Sequence, residues 1–162
     1  MKTISSKFPI ATPFGNFTAV YTENGLASLN FPNGKTESSN NQKISGKVRG
    51  WHRVTEAALK SYLAGQKSQK LPPLDLEGTE FQKSVWREMR KISHGKTKSY
   101  GEIAQAIGRP KAVRAVGGAC GANPVPVFVP CHRVLAANKK IGGFSGGMDW
   151  KYRLLALEGV NV

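Results

Sequence analysis

Between residues 8 and 32, apolar and polar side chains alternate in two short runs, Phe17-Thr18-Ala19-Val20-Tyr21 and Leu26-Ala27-Ser28-Leu29-Asn30-Phe31. They flank Asn24-Gly25, the pair that most favours a tight hairpin because both residues tolerate positive φ. The pattern predicts β structure over 8–32. Residues 33–49 are polar and rich in Ser, Asn, Lys and Gly, and read as a mobile loop with few residues able to join a core. From Trp51 to Ala64 the period becomes helical: Trp51, Val54, Ala58 and Tyr62 share a face, and Gly65 supplies the stop. Gln66 to Gly78, with Pro72-Pro73, is the predicted linker. No internal repeat is visible.

The second half opens with a helix whose start is marked by Thr79 and Gln82, a capping box. Phe81, Val85, Met89 and Ile92 form its core stripe. Ser99 and Glu102 make a second capping box, for a short helix ending near Ile107 with Gly108 beyond it. Pro110 is placed to open the next helix, carrying Lys111, Val113, Arg114, Val116 and Cys120 towards Ala122. On that helix Val113, Val116 and Cys120 fall on an inner face, and Lys111 and Arg114, three apart, on another. Ala112, Ala115, Gly117 and Gly118 are small enough for a partner to approach the backbone. Two short helices joined by Gly108-Arg109-Pro110 fit a helix-turn-helix, whose second helix usually enters a DNA groove. A small-residue helix–helix contact with solvated charges fits equally well. Val125 to Val129 reads as a stiff, buried strand opening into a Gly-rich loop. Patterning therefore predicts an α+β protein in two domains, 1–78 and 79–162: hairpin plus helix, then a mainly helical region with a short strand.

Charge sharpens this picture. The 162 residues hold 24 Lys+Arg against 10 Asp+Glu, a formal +14. Ten basic and five acidic residues precede Thr79, and fourteen and five follow, so the excess is heavier in the half with the paired short helices. Such a balance favours a polyanionic partner, because Lys and Arg neutralise phosphates and release counterions. Two cysteines, Cys120 and Cys131, do not suggest a disulfide framework, and three scattered histidines form no zinc spacing, so no metal is expected. The N-terminus has two lysines but no apolar core of a signal peptide, and no apolar run approaches the roughly 20 residues that span a bilayer. The expected location is the reducing cytoplasm, away from membranes.

The candidate chemistry lies in Pro130-Cys131-His132-Arg133-Val134. Cysteine attacks as the thiolate, yet a free thiol, with a pKa of about 8.5, is mostly protonated near neutrality. An adjacent histidine, a positive arginine and a withdrawn site are the usual means of activating it. An isolated Cys-His pair is more often a small buried thiol beside a structural imidazole. Glu158 lies near the end of a terminal helix, where an acid opposes the helix dipole; in isolation such a residue is more often a solvated helix end.

Asn123-Pro124-Val125-Pro126, the Pro130–Val134 run and Gly142-Gly143-Phe144-Ser145-Gly146-Gly147 together resemble the O6-alkylguanine-DNA alkyltransferases. Ser99-Tyr100-Gly101-Glu102-Ile103-Ala104 and Arg114-Ala115-Val116-Gly117-Gly118 resemble that family's DNA-binding part, and Leu154 to Gly159 its terminal helix. The resemblance is strong over about residues 79–159 and weaker before. It implies a ribonuclease-H-like N-terminal α/β domain acting as scaffold, then a winged-helix-like (helix-turn-helix) catalytic domain. The implied activity is direct reversal of DNA damage: Cys131 takes the alkyl group of O6-alkylguanine in double-stranded DNA, irreversibly and once per molecule, with O4-alkylthymine a second candidate substrate. No cofactor is implied.

By the same resemblance, His132 takes the thiol proton through a water and Glu158 orients the imidazole. Tyr100 crowds the target phosphate and donates to the base, while Arg114 fills the space of the flipped nucleotide. Lys111, Ala112 and Gly117 dock on DNA. Asn123 braces the turn before the active-site strand. Ser145 and the Val134 backbone contact the flipped base, Pro126 lines its pocket, and Arg133 is structural. Phe144 stands where many members have tyrosine, which removes a hydroxyl near the leaving base. A monomer is expected, with cooperative binding along DNA left open. Two other readings remain: a lesion-sensing DNA module without transfer, whose relatives replace the cysteine, and a Cys-His-Glu acyl hydrolase, which needs an oxyanion hole.

Overall fold

Alternation over residues 6–30 produces three antiparallel strands in sequential order: β1 (Ser6–Thr12), β2 (Gly15–Thr22) and β3 (Gly25–Asn30). The pairing sets Ile10 opposite Phe17 and Tyr21 opposite Leu26, so Ile10, Phe17, Ala19, Tyr21, Leu26 and Leu29 are buried. This computed structural model describes residues 6–33, 45–67, 69–144 and 146–162, with Lys139 as backbone alone. Most of the segment read as a mobile loop, 34–44, lies outside the described residues. The chain divides into two compact units, Met1–Glu77 and Gly78–Val162.

In the first unit, helix α1 (Gly46–Leu63) packs on all three strands. It starts five residues before the expected Trp51. Ser45 caps it by accepting from the Val48 amide at 3.2 Å, and Val48 is the one apolar residue of that first turn, too little to set a period. Its buried stripe is Val48, Thr55, Ala58, Leu59 and Tyr62. Trp51 and Val54, expected on that face, are only half-buried, and the Lys47 ammonium lies 5.0 Å from the Trp51 ring centroid. The predicted linker is partly pinned. The Leu26 amide donates to the Pro73 carbonyl and the Asp75 amide to the Leu26 carbonyl, both at 2.8 Å, and Thr22 donates to Asp75. Gly25 permits this approach, since a Cβ there would overlap the Pro73 carbonyl.

The second unit begins with α2 (Glu80–Arg90), whose Thr79–Gln82 capping box is formed in both directions. Val85, Trp86, Met89 and the following Ile92 are buried, and the Trp86 indole donates to the Ala119 carbonyl at 2.9 Å. Ser99 and Glu102 likewise cap α3 (Tyr100–Ala106), and Gly108 ends that region with φ of 76°. Helix α4 spans Val113–Gly121, and α2, α3 and α4 pack on one another. Pro110 does not open α4: residues 110–112 form a turn, with the Ala112 amide bonded to the Arg109 carbonyl. Lys111 and Arg114 therefore do not share a helix face. Val113, expected inside, is 41% exposed, while Val116, Ala119 and Cys120 are buried.

The apolar run Val125–Val129 is buried but is not a strand. Pro124 and Pro126 have no amide to give a ladder. The segment turns instead, with Val127 at φ 76° and the Val129 amide on the Val125 carbonyl. A buried apolar run looks the same in sequence whether it is ladder or coil. Cys131–Arg133 forms one 3₁₀ turn, followed by β5 (Val134–Leu135), which pairs in parallel with β4 (Lys98–Ser99). Helix α5 (Met148–Leu157) closes the unit. The architecture is mixed α+β, and among the described residues no helix is long and apolar enough to cross a membrane.

Candidate active site

Cys131 lies at the bottom of a cavity of about 690 Å³, only 4% exposed. Tyr100 of α3, Val113, Arg114, Gly117, Cys120 and Gly121 of α4, and Gly143 and Phe144 of the following loop form the walls. Gly117 and Gly121 keep the α4 wall open, because a Cβ at either position would meet nothing within 4 Å. The turn leading to the thiol is fixed by Asn123. Its side-chain amide donates to the Val129 carbonyl at 2.7 Å and its oxygen accepts from the Val125 amide at 3.0 Å. Those contacts satisfy buried backbone groups that a strand neighbour would otherwise serve.

Because the 3₁₀ turn is tight, successive side chains diverge: Cys131 lines the cavity while His132 is wholly buried. The Nε2 of His132 lies 2.6 Å from Oε2 of Glu158. That carboxylate also accepts from Arg133, Nε at 2.9 Å and Nη2 at 3.0 Å, and from the Gly95 amide at 2.8 Å. Arg133 Nη1 donates to the Ile92 carbonyl at 2.7 Å, tying the turn to the end of α2. Burial alone would raise the Glu158 pKa, but the bonds from His132, Arg133 and Gly95 outweigh it and hold the group well below the usual carboxylate range. Burial lowers the His132 pKa against the pull of Glu158, so the imidazole is neutral at rest. Burial pushes the Cys131 thiol up to about 11, opposed by the Asn123 side chain and by the charge of Lys151. The resting sulfur is a protonated thiol.

Lys151 was missed in the sequence. Its side chain is fully buried, and Nζ donates to the carbonyls of Val134 at 2.9 Å and Gly143 at 3.0 Å. The available signal was its spacing: it lies three and four residues before Leu154 and Leu155, on the apolar stripe of α5. The Gly95 amide, a backbone partner of Glu158, left no sequence signal. Cys120, read as packing, is 6% exposed with its sulfur 3.4 Å from that of Met89, and it also forms cavity wall.

The fold brings Tyr100, Arg114, Gly117, Cys131 and Phe144 around one cavity, with Asn123, His132, Arg133 and Glu158 supporting the thiol from behind. Lys111 and Ala112 are not cavity walls; they border a separate depression with Arg109 and Pro110. Pro126, expected to line the pocket, is buried away from its walls, and the Val134 carbonyl is already bonded to Lys151. Ser145 lies outside the described residues. Tyr100 is half-buried, with its hydroxyl against Gly142, where a Cβ would come within 2.8 Å of it. Among the described residues, no group of three or more His, Cys, Asp or Glu side chains is placed to hold a metal ion.

A buried cysteine backed by a His–Glu pair, opening beside two short helices with exposed Arg109, Lys111 and Arg114, defines a nucleophilic-cysteine protein with a basic outer face. Known proteins resemble this chain in sequence and fold. The family description "6-O-methylguanine DNA methyltransferase, DNA binding domain" matches residues 80–160. The methylated-DNA–protein-cysteine methyltransferase of Methanosarcina acetivorans is 43% identical over 150 residues, 91% of this chain and 94% of that protein. A crystal structure of Mycobacterium tuberculosis OGT in complex with DNA superimposes with a TM-score of 0.78 at 39% identity, covering 93% of this chain and 90% of that one. The Methanococcus jannaschii O6-methylguanine DNA methyltransferase gives 0.71 at 32%, covering 96% and 95%. This chain belongs to the O6-methylguanine-DNA methyltransferase family.

Proposed function

We propose that this protein repairs DNA by moving the alkyl group of O6-alkylguanine in a duplex to the sulfur of Cys131. The observation that carries the reading is the position of Cys131: lining a cavity walled by α3 and α4, and followed in the chain by a wholly buried His132 bonded to Glu158. With a pKa of about 11, only about one thiol in ten thousand is ionised at pH 7. The thiol is therefore inert until its proton is drawn away. Nε2 of His132 is engaged by Glu158; the imidazole would take the proton through a water, while the carboxylate 2.6 Å away stabilises the imidazolium. Sulfur then forms a bond to the alkyl carbon as the carbon–O6 bond breaks. Its electron pair returns to the purine, which takes up one proton and leaves as intact guanine. The thioether is not released by hydrolysis, so each molecule acts once and no dissociable cofactor takes part.

A stacked guanine cannot present O6 to a buried thiol, so the nucleotide is flipped at a cost of a few kcal/mol. Arg114, exposed at the cavity edge, would fill the vacated stack, and Tyr100, on the facing wall, would crowd the phosphate and donate to the base. Gly117 lets the backbone of α4 come close to the minor groove, with Lys111 and Ala112 contacting the sugar-phosphate edge from the turn before it. Phe144 offers the base a ring without a hydroxyl. In this reading residues 1–78 are a ribonuclease-H-like scaffold and residues 79–162 a winged-helix-like catalytic domain. In this reading the protein acts as a monomer in the cytoplasm, and O4-alkylthymine is a candidate second substrate.

Intact-protein mass spectrometry after incubation with a duplex containing one O6-methylguanine tests the proposal. One added methyl, mapped to Cys131 and saturating at one equivalent, is expected. Cys131→Ala should transfer nothing and still bind DNA. Tight binding without any mass change in the wild-type protein would instead establish a lesion-sensing module.

A further inference from the structure

Trp86, 1% exposed on the inner face of α2, does more than fill space: its indole N–H donates to the Ala119 carbonyl at 2.9 Å. That acceptor belongs to the last turn of α4, where a helix leaves carbonyls without partners of its own. Many helices close this end with a residue in the left-handed region. In α4 the cap is Ala122 at φ −88° and ψ 0°, with its amide on the Gly118 and Cys120 carbonyls. The Ala119 carbonyl is met by a side chain from another helix. One turn further along α2, the Met89 sulfur lies 3.4 Å from that of Cys120. The far edge of the Trp86 ring abuts Gly78, where a Cβ would come within 2.6 Å of it. The ring is thus wedged between Gly78 and α4.

What this bond holds is part of the site. Cys120 and Gly121, which directly follow the acceptor, are walls of the cavity that Cys131 lines. Asn123, two residues beyond α4, fixes the turn that leads to the thiol. The other end of α2 holds the nucleophile's own turn. Arg133 Nη1 donates to the Ile92 carbonyl at 2.7 Å, and the Gly95 amide donates to Glu158 at 2.8 Å. Wall and nucleophile are therefore fastened to the same segment, the wall through Trp86 and the nucleophile's turn just past the helix end. A helix has a fixed rise per residue and does not stretch, so the two ties keep their spacing.

We propose that Trp86 is a positioning residue for alkyl transfer: its indole N–H pins the last turn of α4, so that the wall a flipped base meets stays in register with Cys131. This rests on the alkyl-transfer reading. Trp86 is neither a cavity wall nor exposed beside Arg109, Lys111 and Arg114, so its loss separates alignment of the base from docking on DNA.

The test uses the full chain as wild type, Trp86→Phe and Gly78→Ala. Phenylalanine keeps an aromatic ring and removes the donor; alanine at 78 keeps the donor and displaces the ring. Three quantities are read: single-turnover methyl transfer from a saturating O6-methylguanine duplex, affinity for the undamaged duplex, and hydrogen exchange of the peptide spanning 116–123. In Trp86→Phe the saturated transfer rate should fall about tenfold or more, since a misplacement of about 1 Å costs on the order of 10²-fold. Duplex affinity and the final extent of one methyl per molecule should stay as in wild type, and exchange over 116–123 should quicken. Gly78→Ala should slow transfer in the same direction. A tryptophan that only stabilises the fold would lower the melting temperature and leave the saturated rate alone. A wild-type rate in Trp86→Phe, a loss that merely follows weaker DNA binding, or slow transfer with unaltered exchange overturns the proposal. If Trp86→Phe does not fold, Gly78→Ala decides, and a wild-type rate there overturns it. Should wild type transfer no methyl at all, the alkyl-transfer reading itself fails and this role with it, while the exchange data still show whether Trp86 holds the end of α4.

Discussion

Glu158→Gln removes one charge and almost no volume from the most heavily bonded side chain of the site. The carboxylate accepts from His132, twice from Arg133 and from the Gly95 amide. Glutamine offers one oxygen to those donors, and its amide must face another donor. The Arg133 side chain, 12% exposed, would then lose its counter-charge. Removing one partner of a buried ion pair costs about 3–5 kcal/mol. At roughly 2–4 °C per kcal/mol for a chain of this size, the melting temperature should fall by on the order of 10 °C. Chemistry should suffer separately. Without the carboxylate the imidazolium formed on proton transfer is unsupported, and a general-base contribution of about 10²–10⁴ in rate is at risk.

The two effects separate by calorimetry and by single-turnover transfer followed by mass spectrometry. They also separate by pH. The folded-state pKa of Glu158 is depressed, so its stabilisation is complete above the ordinary carboxylate value of about 4.3 and is lost as pH falls below it. The wild-type advantage over the glutamine variant should therefore be constant near neutrality and shrink on acidification. An unchanged melting temperature together with an unchanged transfer rate would refute the whole network argument. A lowered melting temperature with full activity would confine Glu158 to a structural role.

Gly142 has φ of 69° and would place a Cβ within 2.8 Å of the Tyr100 hydroxyl, so Gly142→Ala should be destabilised by about 1–2 kcal/mol or more. Adding Tyr100→Phe should recover part of that loss in a thermal double-mutant cycle, and strictly additive losses would show that the contact is immaterial. DNA affinity should fall steeply with salt, and Lys111→Ala should reduce the log–log slope by about one without changing the transfer rate of saturated protein. An unaltered slope would remove Lys111 from the DNA-contacting set.

Much of the helical scaffold was legible because its signals are local. Thr79–Gln82 and Ser99–Glu102 fix two helix starts by bonds within four residues, and both capping boxes are formed. The hairpin expected at Asn24-Gly25 forms, but its loop is Glu23-Asn24: Gly25 already pairs with Thr22, and Asn24 does not take positive φ. The start of α1 was not legible, since Gly46 to Gly50 holds one apolar residue, Val48, between two glycines, and becomes helical through the Ser45 cap and the docking of the later turns on the sheet. The position of Pro110 suggested a helix start, yet the chain spends residues 110–112 on a turn, and Lys111 leaves the helix face that pattern gave it.

At the site the division is sharper. The sequence alone determined the reactive types, a Cys-His pair followed by arginine with an acid 26 residues beyond the histidine, and the resemblance that they carry. It could not determine that His132 turns inward while Cys131 faces a cavity, because a 3₁₀ turn and a strand bury the same apolar residues. Nor could it determine the protonation of the thiol. A sulfur in a basic sequence context would be expected to ionise readily, whereas the folded chain removes it from water and raises its pKa to about 11. Lys151 is the clearest case: its role depends on carbonyls 17 and 8 residues away that only the fold brings within 3.0 Å. Local bonding is written in adjacent residues; desolvation and buried charge are sums over neighbours that sequence distance does not measure.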